Sequence, residues 1–89
     1  MRRVGQSRRR DANEASIVKT LRQVGALVIL ISEKGAPDLL VWHARCGVKL
    51  VEIKTKKGDL TPAQVTMHRL MPIEVIRSVD DALALVSNP

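Results

Sequence analysis

Three residues of the chain have types and spacing that could do chemistry together: Asp38, Glu52 and Lys54. Hydrolysis of a phosphodiester needs an activated water, neutralisation of the charge on a pentacovalent phosphorus, and help for the departing oxygen. A Mg²⁺ ion held by two carboxylates and several waters supplies much of all three. An ammonium beside it can hydrogen-bond the attacking water and hold the scissile phosphate. By itself a Glu-x-Lys triplet is weak, since at ordinary charged-residue usage it arises about once in every few hundred residues. Glu52 and Lys54 could equally form a same-face ion pair, and Asp38 after Pro37 could be a turn residue. The combination carries more weight. The acid opens one apolar run and Glu52-Ile53-Lys54 closes the next, and ionisable groups set into such apolar runs need a reason to be there.

The elements that must position these residues are two strand-like runs, 38–44 and 48–55, joined by Arg45, Cys46 and Gly47. A hairpin centred on Cys46 opposes Asp38 to Lys54 and Leu40 to Glu52, with all four on one face by the two-residue strand period. Asp38 and Glu52 are then diagonal neighbours roughly 7–8 Å apart at the backbone, a gap that two carboxylates can close on one cation. A one-residue slip in the register would turn one strand's side chains away and break the cluster.

Around this hairpin the order of elements reads αβββαβα. Asp11 and Glu14 have the form of a capping box for an amphipathic helix over 12–24, closed by Gly25. The run 26–32 is short, β-branched and apolar at both parities, which predicts a strand covered on both faces. After a loop at 33–37 and the hairpin, Thr61, Pro62 and Gln64 supply an N-cap, a proline at the first helical position and a capping glutamine for a helix to about Met71. Pro72 stops it, 73–77 reads as a further strand, and Ser78 with Asp81 caps a last helix. The fold class is α/β, with a small mixed sheet flanked by helices.

Length and charge bound the rest. Eighty-nine residues form one domain, here a basic arm over 1–10 followed by a folded domain over 11–89. The net charge is +6, and Arg2, Arg3, Arg8, Arg9 and Arg10 lie in the arm, which holds no acid. Without them ten basic residues face nine acids, leaving +1. Such a block suits a phosphate polyanion, either nucleic acid or an anionic membrane surface, though it carries no apolar face with which to insert. Its alternative is a solvated tail. Lys56 and Lys57, just past the active strand, suit phosphate contact or plain turn solvation. No run is apolar enough to span a membrane and no signal segment opens the chain, so a cytosolic location is expected. Cys46 is the sole cysteine, which excludes an internal disulfide, and a zinc site on Cys46, His43 and His68 lacks any recognised spacing. Trp42, the sole aromatic, is expected in the core, and without a stacking platform a dedicated single-strand binder is disfavoured.

Glu14, Gly35-Ala36-Pro37-Asp38, Glu52-Ile53-Lys54 and Gln64 together resemble the PD-(D/E)xK nuclease superfamily, most closely the stand-alone VRR-NUC domains of viruses and phages. In motif order and predicted elements the resemblance runs from about residue 11 to residue 86. It implies a restriction-endonuclease-like αβββαβ core in which Asp38, Glu52 and the main-chain carbonyl of Ile53 bind Mg²⁺ or Mn²⁺ and Lys54 is the catalytic lysine. Glu14 matches a helix-borne acid that assists metal or water binding, and also fits the capping box; Gln64 matches the glutamine of the family motif, and also fits its cap. The resemblance further implies a homodimer that cuts four-way (Holliday) junctions, in the host-cell cytoplasm if phage-encoded. An apolar surplus in so small a domain, and two strands to cut, likewise point to a homodimer. The alternatives are a nicking or restriction-like nuclease on linear duplex DNA, and a basic nucleic-acid-binding module with no catalysis.

Overall fold

A computed structural model describes residues 13–55 and 57–87. The chain order is α1 (Glu14–Gln23), β1 (Leu27–Leu30), β2 (Leu39–His43), β3 (Gly47–Ile53), α2 (Pro62–Leu70), β4 (Ile73–Ile76) and α3 (Val79–Ser87). This is the αβββαβα order that the sequence predicts. The four strands form one mixed sheet in the order β1-β2-β3-β4, antiparallel across β1/β2 and β2/β3 and parallel across β3/β4.

Alternation along the strands divides the sheet into an inner and an outer face. Leu39 and Val41 of β2, Val51 and Ile53 of β3 and Ile76 of β4 point inward and are buried with Ile17, Val18 and Leu21 of α1 and Ala82 and Val86 of α3. The apolar stripe of α1 falls at helical spacing, so a ten-residue helix can bury one side and leave Lys19 and Gln23 in water. On the outer face the register lines up Leu27, Trp42 and Val48, then Ile29, Leu40, Leu50 and Ile73. The edge strand β1 is therefore covered on one side only, against the expectation of cover on both, because its apolar residues at odd positions lie on this outer face. Trp42, expected in the core, shares that face and is 41% exposed.

The start of α1 differs from the sequence reading. Asn13 is the N-cap of α1 and makes no side-chain cap. Glu14 is thus the first helical residue rather than the third, and Asp11, the cap expected for it, lies outside the described residues. Asn13 instead donates its amide Nδ2 to the carbonyls of Arg77 (3.0 Å) and Lys54 (3.3 Å), pinning the helix start to the ends of β3 and β4. Elsewhere the caps are as expected. Thr61 Oγ1 accepts from Gln64 N and Gln64 Oε1 from Thr61 N, and Ser78 Oγ accepts from Asp81 N.

A candidate active site at the end of the central hairpin

The hairpin that carries the two acids pairs with its loop centred on Arg45, not Cys46. His43 faces Gly47 and Leu39 faces Val51, and Gly47 has φ +73°. A three-residue loop over 44–46, followed by a left-handed glycine at the start of β3, sets this register. The difference of one residue in the centre moves every pairing by two, so Asp38 is not opposed to Lys54, nor Leu40 to Glu52. Leu40 faces Leu50 and the ladder ends at Leu39–Val51; Asp38 lies in a bend just before β2 and donates its N–H to Val51 O, so it adjoins β3 without being paired with Glu52. A shift of two preserves the faces. Glu52 points to the outer face by the strand alternation, and the Asp38 carboxylate reaches β3 next to it, at the Ile53 N–H.

Both carboxylates are held. Asp38 Oδ2 accepts the N–H of Ile53 at 2.8 Å. The regular pairing ends at Leu39–Val51, and beyond it the aspartate side chain supplies the acceptor. The Asp38 backbone is fixed as well, its N–H donating to Val51 O and its carbonyl accepting from Ile31 N. Glu52 Oε2 accepts from Gln64 Nε2 at 3.0 Å. Gln64 has both functions that its position allowed. Its Oε1 is committed to the Thr61 N–H, which leaves its Nε2 turned toward Glu52. A helix cap thus sets the orientation of an acid twelve residues earlier. Asp38 is 7% and Glu52 3% exposed, so both carboxyls sit in surroundings where a like charge nearby is costly.

Lys54 follows β3 on the face of Glu52 and is half-buried; its N–H donates to Ile76 O and its carbonyl takes the Asn13 amide. Glu14, 5% exposed at the start of α1, adjoins Asn13 and so lies toward the Lys54 end of the strand. Among the described residues no three His, Cys, Asp or Glu side chains gather into a metal-binding group. A cation at this place would draw on the two neighbouring carboxylates and on main-chain or water oxygen. That donor set suits a hard ion such as Mg²⁺, which is commonly held through one or two carboxylates. Lys57 is exposed, while Arg2, Arg3, Arg8, Arg9, Arg10 and Lys56 lie outside the described residues.

The remaining candidates are structural or elsewhere. His43, on the inner-face parity, bonds Val24 O through Nε2 (2.9 Å) and accepts the Arg45 N–H at Nδ1 (3.1 Å), tying the end of α1 to the hairpin loop. His68 follows Gln64 by one helical turn, with Nε2 buried and without a hydrogen-bond partner. An open groove of about 580 Å³ runs along β4 and α3. Its lining balances Lys49 and Arg77 against Glu74 and Asp81, so it offers no net charge to draw a phosphate.

A four-stranded mixed sheet with helices in this order, bearing two adjoining acids at the end of its central hairpin, defines the restriction-endonuclease-like class of α/β domains. Within that class the chain has the VRR-NUC fold. It is similar to a solved structure described as a VRR_NUC domain, at 26% sequence identity and a TM-score of 0.64, over 86% of this chain and 97% of that one. No protein-family model and no curated protein sequence matches the chain.

Proposed function

We propose that this protein is a nuclease whose site is built on Asp38, Glu52 and Lys54, and that it acts as a Mg²⁺-dependent (or Mn²⁺-dependent), structure-selective DNA endonuclease. The observation that carries this reading is that two buried carboxylates meet at the end of β3, Asp38 held by the Ile53 N–H and Glu52 by Gln64, on a fold shared with a VRR_NUC domain. A divalent cation bound there would offset the repulsion between them, polarise the phosphate and lower the pKa of a bound water.

The chain's own groups have separate tasks. The Ile53 N–H fixes Asp38 along the strand, and the Ile53 carbonyl adds a further oxygen beside the two acids. Gln64 fixes Glu52. Lys54, one side chain further along the same face, directs its ammonium at the attacking water and the scissile phosphate. Glu14 supports water or metal from the helix start. Phosphate contacts spread over Lys56, Lys57 and the arm arginines Arg2, Arg3, Arg8, Arg9 and Arg10 supply grip rather than chemistry, so affinity should fall with salt while the cleavage step depends on few residues.

A homodimer acting on four-way junctions is the form of this activity that we favour, because two sites are needed to cut two strands of a symmetric branch. A linear-duplex nickase is the competing form. A panel of four-way, nicked and linear duplexes incubated with protein and Mg²⁺ separates them: paired, symmetric cuts in the junction are expected, and equal single nicks in every duplex would overturn the junction assignment. A binding module without catalysis would shift all of these DNAs on a gel and cut none.

A further inference from the structure

Asn13 occupies the N-cap of α1 but makes no side-chain cap. Asparagine is among the best capping residues, because its side-chain oxygen can accept an N–H of the first turn. Here the side chain is committed elsewhere. Its Nδ2 donates to the carbonyls of Arg77 at 3.0 Å and Lys54 at 3.3 Å. Both partners are acceptors only, which fixes the orientation of the amide. The other amide atom, Oδ1, is buried and has no hydrogen-bond partner among the described residues. Asn13 thus forgoes a cap and strands a buried acceptor, two local losses of stability. Local rules broken in this way mark positions that serve function rather than the fold. Nor does α1 need the clamp in order to dock, since Ile17 and Leu21 are fully buried in the core.

We propose that Asn13 is a positioning residue for Lys54, holding the main chain from which the ammonium is directed. The proposal rests on the reading of Lys54 as the catalytic lysine and names the group that fixes it. Lys54 is the first residue beyond β3, where the strand no longer imposes its geometry. Its N–H donates to Ile76 O at 3.0 Å and its carbonyl accepts from Asn13, so the residue is held on both sides of its Cα. The direction of its Cα–Cβ bond is then fixed as well. The same amide reaches the carbonyl of Arg77, the first residue beyond β4, and so ties together the ends of the parallel strand pair. Arg77 braces the segment that follows. Its Nη1 donates to Thr55 O at 2.8 Å and to Gly58 O at 2.6 Å, while its own N–H donates to Asp81 Oδ2 at 2.9 Å.

Loss of the clamp should therefore act on the chemical step and not on the grip. A reacting group misplaced by about 1 Å can cost about 100-fold in rate, whereas affinity in this reading is spread over many cations. In Asn13→Ala the two lost hydrogen bonds are offset by removal of the stranded acceptor, so the melting temperature should change little. Asn13→Ser goes further. A serine is free to supply the missing cap, so this variant should melt no lower than wild type and yet cleave as slowly as Asn13→Ala.

Three quantities are measured on the full chain for wild type, Lys54→Ala, Asn13→Ala and Asn13→Ser: the single-turnover cleavage rate at saturating protein in Mg²⁺, DNA affinity in EDTA, and the melting temperature. The expected result for both Asn13 variants is a rate on the order of 10- to 100-fold below wild type, with affinity and melting temperature close to wild type. Wild-type rates in both would overturn the proposal. A rate loss matched by an equal loss of affinity would also overturn it, making Asn13 part of the grip. So would a rate loss that follows a fall in melting temperature in both variants, which would make Asn13 a support of the fold. Should Asn13→Ala fail to fold, Asn13→Ser decides by the same criteria. Where wild type cuts and Lys54→Ala does not, each of these failures concerns Asn13 alone. A wild type that cuts none of the DNAs, or a Lys54→Ala protein that cuts as fast, refutes the reading of Lys54 and the positioning role with it.

Discussion

Replacing Asp38 by Asn separates what the carboxylate does for the fold from what it does for a cation. The structure supplies the terms. Asparagine retains an oxygen for the Ile53 N–H now taken by Asp38 Oδ2 at 2.8 Å, so the loss there is the difference between a charged and a neutral acceptor, about 1 kcal/mol. Against it stands the repulsion between Asp38 and Glu52. Two unit charges taken at about 5 Å and an effective dielectric of 20 would repel by about 3 kcal/mol, and with both residues over nine-tenths buried that figure needs no reduction for exposure. The balance favours the variant by about 2 kcal/mol without metal, which for a domain of this size raises the melting temperature by several degrees. In Mg²⁺ the order should reverse. A ligand at a hundred times its dissociation constant stabilises the wild type by about 2.7 kcal/mol, and the variant, with one carboxylate left, should lose most of that gain. Melting curves of both proteins in EDTA and in Mg²⁺ measure all four states. An Asp38→Asn protein that melts lower than wild type in EDTA and gains as much from Mg²⁺ would refute the reasoning, and would make Asp38 a turn or ion-pair residue.

Other outcomes follow from the same geometry. Lys54→Ala should abolish cleavage while leaving DNA affinity nearly unchanged, as read by gel shift in EDTA beside a cleavage assay in Mg²⁺; equal loss of both would move Lys54 from the chemistry to the grip. Gln64→Glu keeps the acceptor for the Thr61 N–H but sets a carboxylate against Glu52, so helix α2 should persist by circular dichroism while the Mg²⁺ concentration for half-maximal cleavage rises. Gln64→Ala should cost about 1 kcal/mol in the cap itself, seen as a lower melting temperature. Removing residues 1–10 should weaken binding and flatten the dependence of log affinity on log salt by up to about 0.9 for each phosphate that the arm neutralises; an unchanged slope would make the arm a solvated tail.

The order of elements was legible because each carries a local signal. Thr61-Pro62 and Gln64 open α2, Ser78 caps α3, and the apolar runs of β2 and β3 flank a glycine. The acids were legible because charge inside such runs is unusual. The register was not, and the reason is confined to Gly47. Taken as the last loop residue it centres the hairpin on Cys46; as a left-handed glycine paired with His43 it centres it on Arg45. That single choice moves every pairing by two, so the ladder ends at Leu39–Val51 and Asp38 meets β3 through its contacts with Val51 and Ile53 rather than through a paired residue of its own. The outer face misled for a different reason. An apolar run such as 26–32 reads as a central strand, and only tertiary structure shows that β1 is an edge whose odd positions, with Trp42, are left to solvent in the single chain. The contact from Asn13 to Lys54 and Arg77 had no sequence signal, since it joins residues 41 and 64 positions apart.

If the two buried carboxylates make this chain a metal-dependent nuclease, cleavage itself must depend on both the cation and the acids. Wild type and Glu52→Gln are each incubated with end-labelled four-way and linear duplex DNA, in Mg²⁺ and in EDTA, and the products are resolved on a denaturing gel. Cut products are expected from wild type in Mg²⁺ alone, with none from wild type in EDTA and none from Glu52→Gln in either condition. Cleavage by wild type that survives EDTA, equal cleavage by Glu52→Gln, or binding with no cleavage by either protein on any of the DNAs would contradict the metal-dependent site.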